Sequence, residues 1–417
     1  MRKSADAVIL MQQNSNFTLL YPENINWETF TRTKPLPPFS EEVIDYLNTL
    51  SASLLKDREC RLYPDVVTFA FFCRKANLLK LKDIYIHEED VRLGRGIAFH
   101  IAPSNVPINF AYSLVAGMLS GNINIVRISS KDFPQVNLVI KHMKAIGINA
   151  MTADIQQGDF PKFALVRYSR ESDATAFFSS IAATRIIWGG DATISTVRKN
   201  ELPPRSFDIC FADRYSIAAI NPDAILATDD REMKRIAEGF YNDTYLFDQN
   251  ACSAPHLIFW IKSDSLDAAK QRFWEYIHSY VSTHYNLQAV LSVDKLTAFY
   301  RQAVCMDTES CPMPDNYILR SNIISDIPEN IDSFRCAGGY FSEKDINSLN
   351  DITGIISKKY QTLAYYGFDK NELNNFVRKN RLTGLDRIVP IGKTTEFSLT
   401  WDGYNLIDMM SRIVTIY

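Results

Sequence analysis

The chain has 417 residues, 46% of them apolar and 22% charged, and a formal net charge of −3. That balance excludes a disordered chain, leaves room for two or three domains, and argues against nucleic acid as the main partner. The seven cysteines include no C-x-x-C pair and are too dispersed for a disulfide scaffold, which points to reduced thiols and a cytoplasmic location. In Met1–Gln12, the apolar patch Val8-Ile9-Leu10-Met11 is too brief for a secretory signal, and no apolar run reaches the length of a transmembrane helix.

Up to residue 93 the chain reads as a lead-in. Pro35-Leu36-Pro37-Pro38 is a breaker, and Ser40-Glu41-Glu42 opens a helix with Ile44, Leu47 and Leu50 on one face. Pro64 starts a second helix. From Gly94 the pattern changes: Gly96–Ala102 is a compact apolar strand, Pro103-Ser104-Asn105-Val106-Pro107 a turn, and Ile108–Leu119 an apolar helix stopped at Gly121-Asn122. Ile123–Ile128 is a second apolar strand and Val136–Ala145 another helix. Strands with continuous apolar character alternating with helices predict an open parallel α/β sheet, with ligands beyond the carboxyl ends of the strands. Asn105 stands at such an end, where an amide can donate to an oxyanion or close an Asx turn. His100, inside the strand, reads as a core histidine.

Thr184–Trp188 is a further strand. It ends in Gly189-Gly190, a turn at which backbone N–H groups can approach a phosphate, and the helix Ala192–Arg198 follows. Phe207–Ile220 gives one short strand at Ser216–Ile220, and Asp230–Asn242 a helix. Next comes Phe247-Asp248-Gln249-Asn250-Ala251-Cys252-Ser253-Ala254-Pro255, a polar turn leading into the apolar strand Leu257-Ile258-Phe259-Trp260. Cys252 is either a small buried filler or a nucleophile facing a cleft. A helix from Leu266 to Tyr285 precedes a less regular run holding Cys305 and Cys311, which lack a histidine partner, so no metal site is expected. Thr362–Gly367, a helix over Asn371–Lys379, Gly384–Gly392 and Trp401-Asp402-Gly403-Tyr404 then suggest loops bordering a cleft, and Ile407–Val414 closes the chain as helix or strand.

Taken in order, the proline-bracketed asparagine turn, the Gly-Gly turn and the cysteine turn resemble the aldehyde dehydrogenase superfamily. More closely, the chain is similar to the LuxC-type acyl-CoA (fatty acid) reductases. That likeness is carried by Ser104-Asn105-Val106-Pro107, Ile187-Trp188-Gly189-Gly190-Asp191, Asp248-Gln249-Asn250-Ala251-Cys252, Gln361-Thr362 and Gly384-Leu385-Asp386-Arg387-Ile388-Val389.

The resemblance implies an α/β fold with a Rossmann-like cofactor domain and a second α/β catalytic domain. The boundaries it suggests are 1–93 for a lead-in packing on the cofactor domain, 94–220 for that domain, 221–385 for the cysteine domain, and 386–417 for a segment returning to the cleft or the cofactor domain. It implies NADPH-dependent reduction of a fatty acyl-CoA thioester to the aldehyde through an acyl-cysteine. Cys252 would be the nucleophile and Asn105 the oxyanion donor, with Gly189, Gly190, Arg127 and Ser104 at the cofactor and no metal. The acyl donor would be fatty acyl-CoA or an acyl-protein, an acyl-protein synthetase is a plausible partner, and a homo-oligomer is expected.

Hydrolytic members of the superfamily place a glutamate before the cysteine to activate water. The corresponding stretch here, Phe207–Ser216, has none, and Asp208 or Asp213 would have to substitute. An NAD(P)-dependent aldehyde oxidation and an inactive cofactor-binding subunit stand as the alternatives.

Overall fold

The computed structural model describes residues 16–87, 89–152 and 162–416; the Val8–Met11 patch lies outside them. The chain divides into two compact units, one made of residues up to Ala212 and from Tyr404 onward, the other of Asp213–Gly403.

The first unit contains the strands β1 (Thr18–Tyr21), β2 (Arg92–Gly94), β3 (Ile97–Ile101), β4 (Ile123–Arg127), β5 (Phe163–Arg167), β6 (Thr184–Trp188) and β7 (Phe207–Phe211). Six of them form a sheet in the order β1-β5-β4-β3-β6-β7, parallel throughout except for β1. Burial on both faces explains why β3 and β4 read as unbroken apolar runs. One face packs Phe99, Ile101, Ile125 and Val166 against Trp27, Phe177 and Phe178.

The other face carries a polar knot. His100 Nδ1 lies 2.8 Å from Ser113 Oγ and its Nε2 3.0 Å from Asn124 Oδ1, while Trp188 Nε1 donates to the same serine at 2.9 Å. The helix Asn109–Leu119 approaches this knot so closely that a Cβ on Gly117 would sit 2.0 Å from Asn124 Oδ1. His100 is thus a satisfied core histidine, as expected, and burial lowers its pKa to about 4.

The C-terminal segment supplies the helix Leu406–Met410 and then the strand Ser411–Ile413, which pairs antiparallel with β2. Arg92 fixes this return through Asp408 at 2.9 Å and Ser411 at 3.1 Å.

The second unit contains β8 (Tyr215–Ile220), β9 (Pro255–Ile261), β10 (Thr308–Cys311), β11 (Leu319–Ile323), β12 (Tyr340–Ile346), β13 (Tyr360–Tyr366) and β14 (Arg387–Pro390). Their order is β10-β11-β12-β9-β8-β13-β14, parallel except for β10. Alternate residues of β8 and β9 serve two cores. Ile217, Ala219, Leu257 and Phe259 face one, while Ala218, Ile220, Ile258 and Trp260 face the other, beneath the helices Asp230–Thr244 and Leu266–His284.

The helices expected after Pro38 and at Pro64 are present as Glu41–Lys56 and Pro64–Phe72. Three readings need correction. Phe207–Ile220 holds two strands, β7 and β8, parted at Ala212–Arg214. The run after Tyr285 is not irregular, because it contains the helix Ala289–Cys305 followed by β10 and β11. The strand β5 and the helix Ala174–Ile181 lie where no element was expected. No helix of the described residues is long and apolar enough to cross a membrane.

Candidate active site

Cys252 lies in the second unit, in the loop that enters β9. The loop is held by its own sequence. Asp248 and Gln249 adopt left-handed backbone at φ 51° and 60°, which is uncommon for non-glycine residues and must be compensated. Gln249 supplies the compensation. Its side chain is buried; Nε2 donates to Pro255 O and Tyr340 O, both at 3.0 Å, and Oε1 accepts from Gly339 N at 3.0 Å and Tyr340 N at 3.2 Å. Every polar atom of that amide is used, so the loop is stapled to the start of β12. Ser216, in β8, completes the support: its hydroxyl donates to Cys252 O at 2.6 Å and accepts from Thr362 N at 3.2 Å.

Beyond the sulfur stands a short polar network. Gln361 Nε2, in β13, donates to Cys252 Sγ at 3.3 Å and to Asp402 Oδ1 at 2.5 Å. Asp402 is buried in an Asp-Gly turn whose two residues have φ 48° and 76°. Arg214 Nη1 lies 3.8 Å from Asp402 Oδ2, and Arg214 Nη2 is held by Asp386 at 2.7 Å and Tyr360 O at 2.6 Å. Burial pushes the Asp402 carboxyl up to about 6, against the pull of Arg214 and the Gln361 bond. The Cys252 residue is half-buried, yet desolvation pushes its thiol up to about 11. The Asp402 charge adds to that rise, and the Gln361 donor and Arg214 oppose it.

The two aspartates considered as substitutes for the missing glutamate are engaged elsewhere. Asp208 takes Arg185 Nε at 2.7 Å and Nη2 at 3.1 Å, one guanidinium on two oxygens. Asp213 takes Arg335 at 2.8 Å and Lys359 at 3.2 Å; burial raises its pKa, but these two cations prevail and hold it below the usual carboxylate value.

The remaining expected site residues belong to the first unit, where the sheet gathers them. Ile101 is in register with Arg127 and with Ile187, so the ends of β3, β4 and β6 lie side by side. Ser104 and Asn105, both exposed, follow β3. Arg127 closes β4, and Gly189-Gly190 follow β6 and open the helix Asp191–Arg198.

The carboxyl edge of this parallel sheet is therefore where a nucleotide would sit in a doubly wound fold, and the residues there fit one. Gly190 has an ordinary φ of −67°, and a Cβ on it would meet no atom within 4 Å. Neither backbone strain nor packing requires a glycine there, and the open space beside it leaves room for a ligand to approach the backbone. Arg127 Nη2 donates to Tyr168 O at 3.3 Å, while its buried Nε has no partner among the described residues.

Sequence reasoning left Gln361 without a role and saw Asp402 only as part of a loop. Arg214 and Ser216 carried no signal, since each acts through contacts that spacing does not reveal.

Comparison with known proteins agrees with the likeness read from the motifs. Residues 80–277 match the model of the acyl-CoA reductase (LuxC) family. A long-chain acyl-protein thioester reductase of Vibrio harveyi is 22% identical over 316 residues, 73% of this chain and 60% of that protein. A long-chain acyl-protein thioester reductase 2 of Photobacterium leiognathi is 29% identical over 181 residues, 42% of this chain and 34% of that one. The matched part thus spans less than two thirds of either relative.

Among solved structures, a lactaldehyde dehydrogenase superposes with a TM-score of 0.64 at 13% identity, covering 94% of this chain and 89% of that one. A 1-pyrroline-5-carboxylate dehydrogenase from Thermus, solved with bound NAD, gives 0.62 at 12% identity, covering 98% and 85%. The fold is that of the aldehyde dehydrogenases. The family match includes Asn105, Gly189, Gly190 and Cys252 and stops before Gln361 and Asp402.

Proposed function

We propose that this chain reduces a fatty acyl thioester to the aldehyde, with Cys252 carrying the acyl group and NADPH as the reductant. The observation that carries the reading is the thiol held by Gln361, whose amide also holds Asp402. The names of the relatives, both acyl-protein thioester reductases, support the substrate class. The edge formed by Arg127, Gly189 and Gly190 supports a nicotinamide dinucleotide. That group, when bound, supplies a hydride to the acyl carbon.

In this reading Cys252 Sγ attacks the thioester carbonyl, and the thiol proton is returned through solvent to the departing thiolate, which leaves as the free thiol. Asn105 is the proposed oxyanion donor on the strength of the motif likeness alone, a contribution worth about 3 kcal/mol at such sites. After hydride addition the oxyanion collapses, the C–S bond to Cys252 breaks, and aldehyde leaves.

The raised Cys252 pKa suits this order. A tetrahedral adduct expels its less basic thiolate, and an unperturbed donor thiol has a pKa of about 8.5, well below that of Cys252. Collapse therefore favours the acyl-enzyme. With Asp208 and Asp213 held by cations, neither serves as the base that hydrolysis needs.

The test is intact mass after incubation with long-chain acyl-CoA in the absence of NADPH, beside Cys252→Ala. The expected result is an adduct of acyl mass on the wild type alone, released as aldehyde when NADPH is added. A fatty acid product instead would identify a hydrolytic enzyme. No adduct from acyl-CoA, but one from an acyl-protein donor, would assign the donor. No adduct from either would overturn the proposal.

A further inference from the structure

Far from Cys252 in sequence, three side chains of the first unit converge in a way the proposed reaction does not use. Asp57 Oδ2, Cys60 Sγ and His142 Nε2 all lie within 4.8 Å of one another. His142 Nε2 stands 3.0 Å from Asp57 Oδ2 and 3.7 Å from Cys60 Sγ. Zinc bonded tetrahedrally at about 2.3 Å to sulfur and about 2.0–2.1 Å to nitrogen and oxygen holds its ligand atoms roughly 3.3–3.6 Å apart. The two separations from His142 Nε2 bracket that range, and a rotation of the Asp57 carboxylate brings its oxygen, within 4.8 Å of the sulfur, to the ion.

We propose that Asp57, Cys60 and His142 bind one zinc ion, with water in the fourth position, as a structural clip between the N-terminal helices and the helix Pro134–Thr152.

The local structure is arranged for it. Asp57 ends the helix Glu41–Lys56, and Cys60 opens the short 3-10 turn Cys60–Leu62. The D-x-x-C spacing brings a carboxylate and a thiol to one side of a turn, much as paired ligands three apart do in zinc knuckles. Asp57 Oδ1 accepts from Glu59 N at 2.8 Å, which shapes the turn and leaves Oδ2 for the ion. The third ligand comes from a distant helix. Its other ring nitrogen, His142 Nδ1, lies 2.7 Å from Ser53 Oγ, the outer contact that fixes a ligating imidazole with Nε2 turned inward.

Cys60 and His142 are buried while Asp57 is partly exposed, so the site is enclosed but has an entry. Lys141 Nζ is 3.7 Å from Asp57 Oδ2, but its side chain is 63% exposed and free to turn away.

The charges close. Zinc with one carboxylate and one thiolate is neutral. Binding expels the Cys60 thiol proton to solvent and places the imidazole proton on Nδ1, facing Ser53. A thiol and an imidazole favour zinc over the hard cations magnesium and calcium.

The test uses the full chain, reduced and stripped with a chelator, then incubated with Zn2+ and freed of excess, followed by elemental analysis. The expected result is about one zinc per chain, lost in Cys60→Ser and His142→Gln and kept in Cys252→Ser. Replacing zinc by Co2+ should give a thiolate-to-cobalt charge-transfer absorption that Cys60→Ser abolishes and Cys252→Ser does not. Should the two buried substitutions unfold the chain, Asp57→Asn at the exposed edge carries the test, with an expected loss of about tenfold or more in Zn2+ affinity. Folded wild type that retains less than about a tenth of an equivalent, or a cobalt spectrum unchanged by Cys60→Ser or Asp57→Asn, would overturn the site.

Discussion

One amide serves two anionic positions at Cys252, and the two neighbours act on the thiol with opposite sign. Gln361 donates to the sulfur and favours the thiolate, while Asp402 repels it. Gln361→Leu should therefore slow alkylation of Cys252 by iodoacetamide by about tenfold near neutral pH, the loss of one donor to a charged group. Asp402→Asn should speed it by removing the repelling charge. Intact mass against time over a range of pH checks both, and rates moving the same way in the two variants would contradict the assignment. In sequence only half of this site is legible. Cys252 stands out because a lone thiol among small and amide residues precedes an apolar strand. Asp402 does not, because its importance lies in burial and in a partner 41 residues earlier in the chain. Gln249 is hidden in the same way, since three of its four bonds reach across to Gly339 and Tyr340 at the start of β12.

The helix Ala289–Cys305 escaped the sequence reading for a physical reason: its two faces are reversed. Val290, Val293, Leu296, Tyr300 and Val304 are exposed, whereas Lys295, Ala298 and Gln302 are buried. Amphipathic reasoning assumes that the apolar face is the inner one. Here the inner polar groups are fully engaged. Lys295 Nζ donates to Gly338 O at 2.7 Å and Tyr317 O at 3.2 Å, and also to Asn316 O. Gln302 Oε1 accepts from Tyr340 and Ser342. By contrast β3, β4, β8 and β9 were legible because strands covered on both faces must be apolar throughout. Lys295→Met should keep the volume and leave buried carbonyls without a donor, at a cost of about 2–4 kcal/mol. Urea unfolding of the variant measures it, and a change within about 0.5 kcal/mol would show the cation to be incidental.

At the scale of the whole molecule the buried titratable groups are unevenly shared, and the two units should answer acid differently. In the first unit His100 has a pKa of about 4, below that of the unfolded chain. The unfolded state binds its proton first, so stability falls as the pH drops through 6.5, by about 2 kcal/mol at pH 5. His256, in the second unit, is lowered to about 3 by burial and acts in the same direction. There, however, it is opposed. Asp243, which accepts from Gly392 N at 2.6 Å and Thr394 N at 2.9 Å, is raised by burial to about 7, and Asp402 to about 6. A carboxyl whose folded pKa is raised binds its proton more tightly in the fold, so each of these adds stability as the pH falls from 7 toward 4. Together they offset His256. Hydrogen exchange, corrected for its intrinsic pH dependence, should show the protection of β3 and β4 weakening between pH 7 and 5 while that of β8 and β9 holds. Asp243→Asn should remove most of the offset, so that β8 and β9 lose protection on acidification as well. Equal loss in both sheets of the wild type would mean that Asp243 ionises in the fold as it does in the unfolded chain.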